Sequence, residues 1–466
     1  MAEFKDGSKS KEAFGLVIAV LLVMAFLMTG KILFDGITCW GLAVIVVALF
    51  VFLFAFMHKG AVLYEAVYLF FMGHMLIYLP AVFLMPPDTN LQPEHVSKAL
   101  MALSFSLIAF IAGYGSALGK VLAEFLPLRN FMMTEKKLAQ IPQKLYFLWI
   151  LIMVVNILPG IRFPSVFFAM TQVFAILLIQ TALMIDARFV FTNDAKVWQL
   201  DIRHKARVRL IVFFAAYAVE CLASGFSGLI MIPIALICIV YIREKRTFPV
   251  RGIVILFILI MLMFSYVIPA CKIYRIIDKT EYGLWDRVSM ACKITSMNSN
   301  RERIERSFIR YNNVFMITVI CEDLREKGIK PVIYRGFYDV ISRFIPRFIW
   351  RGKPKISIDA NEVGRRLGIL QETDRGTSVS LPLLGGFILW GGLPGAVAGY
   401  FFVGLLMRMF WVWLVVRSGS NFLSFAIYSA ICFGWILGGL FFSAQLICTT
   451  TFIAYSYILS GFLKEL

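Results

Sequence analysis

The densest chemistry in this sequence lies between Asp339 and Arg375. Arg343, Arg347, Arg351, Lys353 and Lys355 are threaded around Pro346 and Pro354, and Asp359, Glu362, Arg365, Arg366, Glu372, Asp374 and Arg375 follow. A guanidinium presents planar, paired donors that match two oxygens of a phosphate, and a lysine adds a compact charge. Such a set at a membrane face suits the diphosphate of a lipid carrier, with Arg343, Arg347, Arg351, Lys353, Arg365 and Arg375 as the binding candidates. The same charges could instead hold anionic head groups or solvate a loop. A base or orienting group for an acceptor hydroxyl would come from the acids Asp339, Glu362 and Glu220, with Asp359 a further candidate. Glu220 stands in an apolar run beside Ser224 and Gly225, and an acid within a membrane segment is a functional candidate by default. Glu65 and Arg408 are weaker candidates. Clustered carboxylates or histidines at ligand spacing are absent from the sequence, so no metal and no cofactor is expected.

The elements that position these residues are written in the hydropathy. The chain has 466 residues, 60% hydrophobic and 16% charged, with mean hydropathy +0.81. A soluble domain is nearer half apolar and a quarter charged. Apolar runs of about 20 residues recur, each long enough to cross a bilayer core as a helix. Twelve spans are expected, near 13–30, 37–57, 61–85, 97–119, 143–159, 165–187, 208–224, 226–242, 249–269, 387–414, 421–440 and 443–462. The seventh and eighth meet at Ser224-Gly225-Phe226-Ser227-Gly228, which could be a re-entrant turn, and the last pair lacks a separating charge. The fold class is therefore an all-α polytopic membrane bundle. Its parts are an N-terminal bundle of about nine spans (1–269), a large helical extracytoplasmic loop (270–386) and a C-terminal bundle of about three spans (387–466). The first span, preceded by Lys5, Lys9 and Lys11, has no small-residue cleavage site and reads as uncleaved.

Orientation follows from the short loops. Lys120 to Lys144, Arg188 to Arg209 and Arg243 to Arg251 fall on one side, against only Lys31, Lys98 and Arg162 on the other. Basic short loops stay in the cytoplasm, so both termini are expected there and the large loop outside. That loop carries 21 Lys or Arg and 13 Asp or Glu, but long loops do not vote on topology. The net charge of +18 is thus a topology signal, and nucleic acid is not an expected partner. Within the loop, Ile304, Phe308, Tyr311 and Phe315 recur at helical spacing, as do Ile333, Phe337, Val340, Ile341 and Phe344. Helices of that kind would lie at the lipid interface or cap a cavity. The eight cysteines show no CxxC or zinc-like spacing, so neither a disulfide framework nor a zinc site is expected. No internal repeat is evident, which weakens a transporter built from duplicated halves.

Three segments carry a family resemblance. "FIPRFIWRGKP" (Phe344 to Pro354) resembles the segment after the large periplasmic loop of bacterial O-antigen polymerases, the oligosaccharide repeat-unit polymerases of Wzy type. Ser378 to Leu406, "SVSLPLLGGFILWGGLPGAVAGYFFVGLL", is similar to the same proteins in its Pro-Leu-Leu-Gly-Gly and Trp-Gly-Gly elements. Ala223 to Arg246 is similar to the helix pair before that loop, so the likeness covers about the second half of the chain. Some family members carry Arg-x(10)-Gly elements, and Arg325 to Gly336, Arg365 to Gly376 and Arg375 to Gly386 have that spacing. The resemblance implies ten to fourteen spans in a bacterial inner membrane. It also implies a glycosyl transfer at the outer face that lengthens a glycan on undecaprenyl diphosphate into lipopolysaccharide or exopolysaccharide. The implied partners are the undecaprenyl-diphosphate-linked oligosaccharide, membrane lipid and a chain-length regulator. The related ligases are associated with a histidine in the large loop. His58, His74, His95 and His204 all lie outside it, which disfavours a ligase. The rival expectations are a transporter or flippase for a lipid-linked or anionic substrate, and a structural membrane subunit.

Overall fold

The computed structural model describes residues 93–126, 134–157, 165–192, 197–224, 231–245, 283–297, 313–326, 383–418, 421–437 and 451–456, with a few isolated positions between them, Arg365 among these. All of these segments are helical, with no strand among the described residues. The elements are α1 (Pro93–Gly115), α2 (Ala117–Phe125), α3 (Glu135–Ile157), α4 (Ser165–Phe191), α5 (Val197–Ser224), α6 (Met231–Lys245), α7 (Leu284–Met297), α8 (Asn313–Glu326), α9 (Leu383–Phe410) and α10 (Phe422–Leu437). A π-helical turn, Trp411–Val416, extends α9. Four stretches are long and apolar enough to cross a membrane: Lys98–Gly115, Glu135–Val155, Thr171–Phe191 and Leu383–Val416. Large apolar side chains such as Phe105, Ile108, Phe147, Ile150 and Leu151 point outward from them. In water that would be costly; facing lipid it is the expected arrangement. The full set of twelve spans reaches well outside the described residues.

Two groups of helices make up the described bundle. In one, α4 is central and packs on α3, α5, α6 and α10. In the other, α1, α2 and α8 pack on α9. The α1–α9 contact depends on glycines. A Cβ at Gly113 would collide with the Phe401 carbonyl oxygen, and one at Gly404 with the Phe110 carbonyl oxygen. Close approach through small residues replaces the hydrophobic drive that lipid does not supply.

Arginines tie several helix ends together. Arg188 of α4 bonds Glu135 of α3 at 2.7 Å and approaches Glu244 of α6 at 3.6 Å. Arg188 and Arg243 both lie over the Phe422 ring at the start of α10. Arg417 donates to the carbonyls of Ala123 and Leu126 at the end of α2. The C-termini of α2, α4 and α6 and the N-termini of α3, α5 and α10 therefore gather at one basic end. Those are the same charge groups that the short-loop argument put together.

Three expected elements differ in detail. The span near 97–119 is interrupted at Ser116, whose hydroxyl caps α2 by accepting from the Leu118 amide at 3.2 Å. The periodic stretch of Ile304, Phe308, Tyr311 and Phe315 overlaps helix α8, which begins at Asn313 and buries Met316, Ile317 and Ile320. Residues 304–312 and the stretch 333–344 lie outside the described residues.

The span near 387–414 is not one straight helix. Gly391 (φ −143°, ψ 18°) and Gly392 (φ 61°, ψ −152°) leave helical geometry, with Pro394 just beyond. Phe387 and Tyr400 would be about 20 Å apart along a continuous helix at 1.5 Å per residue. Their rings are 6.1 Å apart, and a Cβ on Gly395 would sit 2.8 Å from the Phe387 carbonyl oxygen. Leu383–Trp390 thus folds back on the helix that starts after Gly392. The remaining 393–416, about 36 Å long, suffices to cross a bilayer core alone.

Gly392 occupies backbone space that only glycine enters without strain of about 1–3 kcal/mol. Gly391 does not, and nothing lies within 4 Å of where its Cβ would be. Gly392→Ala should lower the thermal midpoint of the detergent-solubilised protein, whereas Gly391→Ala should leave it within error. Equal midpoints for the two variants, read by fluorescence-detected size exclusion after heating, would remove the reversal at this position.

Candidate functional site

Asp186 on α4 is fully buried, and three helices meet on its carboxylate. Arg209 of α5 binds it in a fork, Nη2 to Oδ1 at 2.6 Å and Nε to Oδ2 at 3.1 Å. Tyr146 of α3 donates its hydroxyl to Oδ2 at 3.0 Å. The Tyr146 ring stacks on Phe213 of α5 at 3.7 Å between centroids. A buried carboxylate persists only when paired and hydrogen-bonded, and here each oxygen is occupied. This is a structural clamp with no vacancy for a substrate.

A different polar group lies further along the same pair of helices. Glu220 of α5 is half-buried, and its Oε2 is buried with no hydrogen-bond partner. Tyr217 and Cys221 adjoin it, and Tyr217 faces Gln180 of α4. Gln180 and Tyr217 are buried, yet both Gln180 amide atoms and the Tyr217 hydroxyl lack an aligned partner. Buried polar groups in native proteins are almost always bonded. Tyr217 and Gln180 nevertheless face each other closely enough to interact, so the half-buried Glu220 carboxylate, with its Oε2 unpartnered, is the group left open. Glu220 is eleven residues from Arg209, about 16 Å along a helix, so the clamp and this group are separate places. The next residue on α4, Thr181, is satisfied, accepting from the Tyr455 hydroxyl at 2.9 Å.

The other sequence candidates divide sharply. Asp339, Glu362, Arg343, Arg347, Arg351, Lys353 and Arg375 lie outside the described residues. Arg365 is described; it is half-buried, and its Nε is buried without a partner. Arg408, a weaker candidate, lies over the Tyr114 ring at 5.2 Å between α9 and α1, a packing role.

Sequence reasoning missed one juxtaposition. His95 at the start of α1 is outside the large loop, but its Nδ1 lies 3.7 Å from Glu322 Oε1 on the loop helix α8. The ring is 1% exposed, and neither nitrogen makes a hydrogen bond. Helix α8 therefore has an imidazole against it even though residues 270–386 contain no histidine. No spacing in the sequence brings residues 95 and 322 together. Nearby, burial pushes the Cys321 thiol up to about 11, opposed by Lys98, so it stays protonated near neutral pH and is a poor nucleophile. Among the described residues no group of three or more His, Cys, Asp or Glu could hold a metal.

No family model matches the chain, and no solved structure matches it.

The Asp186 clamp makes a quantitative expectation. Removing one partner leaves the other buried and uncompensated, a cost of about 3–5 kcal/mol. Asp186→Ala and Arg209→Ala should each sharply reduce the amount of monodisperse protein. The double variant should recover part of the loss, because neither charge is then stranded. Strictly additive losses across the cycle would mean that the two side chains do not couple.

Proposed function

We propose that this chain is a membrane glycosyltransferase. It polymerises undecaprenyl-diphosphate-linked oligosaccharide repeat units at the outer face of the bacterial cytoplasmic membrane. The basic helix ends then face the cytoplasm, with both chain termini, and the loop at 270–386 faces outward. The observation that carries this reading is the Trp390-Gly391-Gly392 break. It lies inside Ser378 to Leu406, the longest segment resembling O-antigen polymerases, and it turns that motif into a structural device. Non-helical backbone at membrane depth is tolerated only where protein or a cavity surrounds it. A helix reversed at the point where the loop rejoins the bundle could seat a lipid carrier beside the loop's cations.

In this reading Arg343, Arg347, Arg351, Lys353, Arg365 and Arg375 hold the diphosphate of the donor. As the acceptor hydroxyl attacks the anomeric carbon, the glycosidic bond to the diphosphate breaks and negative charge grows on the leaving group. Fixed guanidinium groups stabilise that charge without reorganising. Asp339 or Glu362 in the loop, or Glu220 beside Tyr217, orients the acceptor and takes its proton. Cations suffice for the leaving group, so the reaction is expected to run without a divalent metal.

A second reading is a transporter or flippase for a lipid-linked substrate. Broken helices favour it, since transporters place their sites at discontinuous helices. Proteoliposomes separate the two. Given purified lipid-linked repeat units on the outer face, a polymerase yields a ladder of longer glycans, while a flippase changes only the leaflet in which single units are found.

Arg347→Ala should abolish polymer at unchanged protein level, and Arg347→Lys should lose most of it, because a point charge does not replace a fork. Normal chain lengths in Arg347→Ala would reject that role. Polymer should still form in chelator; complete loss restored by magnesium would turn Asp359, Glu362 and Asp374 into ligand candidates. Reporter fusions after residue 340 should give extracytoplasmic activity, and a cytoplasmic signal there would end both the topology and the mechanism.

A further inference from the structure

Helix α7 (Leu284–Met297) lies in the segment that the sequence assigns to the extracytoplasmic loop. Its protein-covered face is a narrow stripe, Arg287, Ala291 and Thr295, at spacings of four. Arg287 is anchored there, donating to the Tyr274 carbonyl at 2.9 Å and lying 4.0 Å over the Tyr274 ring. On one side of that stripe stand Trp285, 79% exposed, and Val288. On the other stand Met297, 72% exposed, and Ile294. The strip opposite the covered face is polar, Asp286, Ser289, Lys293 and Ser296, all exposed. At 100° per residue the apolar arc is therefore much wider than the part the protein covers, and it is bare on both flanks.

We propose that α7 is an interfacial helix, seated in the head-group boundary of the bilayer with its apolar flanks in lipid and its polar strip toward water. The double flank selects the occupant. A single protein partner would cover one side of the covered stripe. Lipid surrounds a membrane protein, so it reaches both sides of a helix lying against the bundle. An amphipathic helix buries its apolar face shallowly in the boundary, and tryptophan is at home there, with an apolar ring and a polar N–H. The loop would then be pinned to the membrane at its first helix instead of standing clear of it. This placement does not depend on what the protein catalyses, only on its residence in a bilayer.

The test uses the full-length protein in lipid nanodiscs. Nitroxide labels are placed singly at Trp285→Cys, Ile294→Cys and Lys293→Cys in a background whose native cysteines are replaced. Collisions with oxygen, which partitions into lipid, are compared with those of a water-soluble nickel chelate. Labels at 285 and 294 should favour oxygen, and the label at 293 should favour nickel. Nickel access at 285 and 294 equal to that at 293 would overturn the proposal in favour of a solvated loop. Protection of either flank from both reagents would overturn it in favour of a protein partner or a second copy. Should the cysteine-free background not fold, the native protein and its Trp285→Phe variant are reconstituted with brominated lipids. The proposal requires Trp285→Phe to remove a lipid-quenched component of the emission, and an unchanged quenched fraction rejects it.

Discussion

A carboxylate with no access to water governs how α3, α4 and α5 come together. Asp186 is buried where α3, α4 and α5 converge, and its charge is tolerable only because Arg209 and Tyr146 reach it from two other helices. That requirement fixes the rotation of α4 and the register of α5 against it. Once α5 is so placed, Phe213 must lie on Tyr146, and Tyr217 must lie near Gln180 two turns further along. Lipid-facing contacts are interchangeable, since one apolar side chain serves nearly as well as another. A buried fork is not, which is how one polar pair can specify an arrangement that dozens of leucines and phenylalanines leave open.

The second half of the bundle is specified differently. Between α1 and α9 the restriction is steric: Gly113 and Gly404 let the two backbones approach until no side chain fits between them. Further along α9, Gly399 leaves space that the Phe387 ring occupies, and this is possible only because the chain has reversed at Gly391-Gly392. The glycines of Ser378 to Leu406 thus have distinct duties: some permit helix contact, one permits a left-handed backbone, one receives a ring. A glycine-rich apolar segment is easily read as a flexible or weak helix. Here it is a tightly packed one whose small residues are the packing.

Much of the architecture was legible in the sequence because its causes are local. Hydropathy gave apolar helices of bilayer length, and the lysines and arginines near 120–144, 188–209 and 243–251 marked helix ends that do gather together. The reversal in α9 was not legible. Trp-Gly-Gly-Leu-Pro announces an irregularity, but a kink, a re-entrant turn and a full fold-back share that signature, and contact between Phe387 and Tyr400 decides among them. Pairings across long separations were equally hidden. Asp186 falls at the end of one expected span and Arg209 at the start of the next, with no spacing that pairs them, and nothing about His95 pointed to Glu322. Of the candidate site, Glu220 was legible from its setting as an acid in an apolar run. Its companions Gln180 and Tyr217 were not, because a glutamine and a tyrosine in apolar helices read as ordinary core until they are found facing each other across the α4–α5 seam.

The separation between the clamp and the open polar group has a consequence for chemistry. Asp186 has its charge neutralised at about one hydrogen-bond length and both carboxylate oxygens bonded, so it cannot bind a ligand without the bundle rearranging. Glu220 is held in place by its helix but has no cation beside it among the described residues. Its Oε2 is buried without a hydrogen-bond partner. Two acids on neighbouring helices thus have opposite capacities, set by what faces them and not by residue type. A structural acid wants full satisfaction; an acid that is to meet a hydroxyl must keep a lone pair open and accept the cost of desolvation.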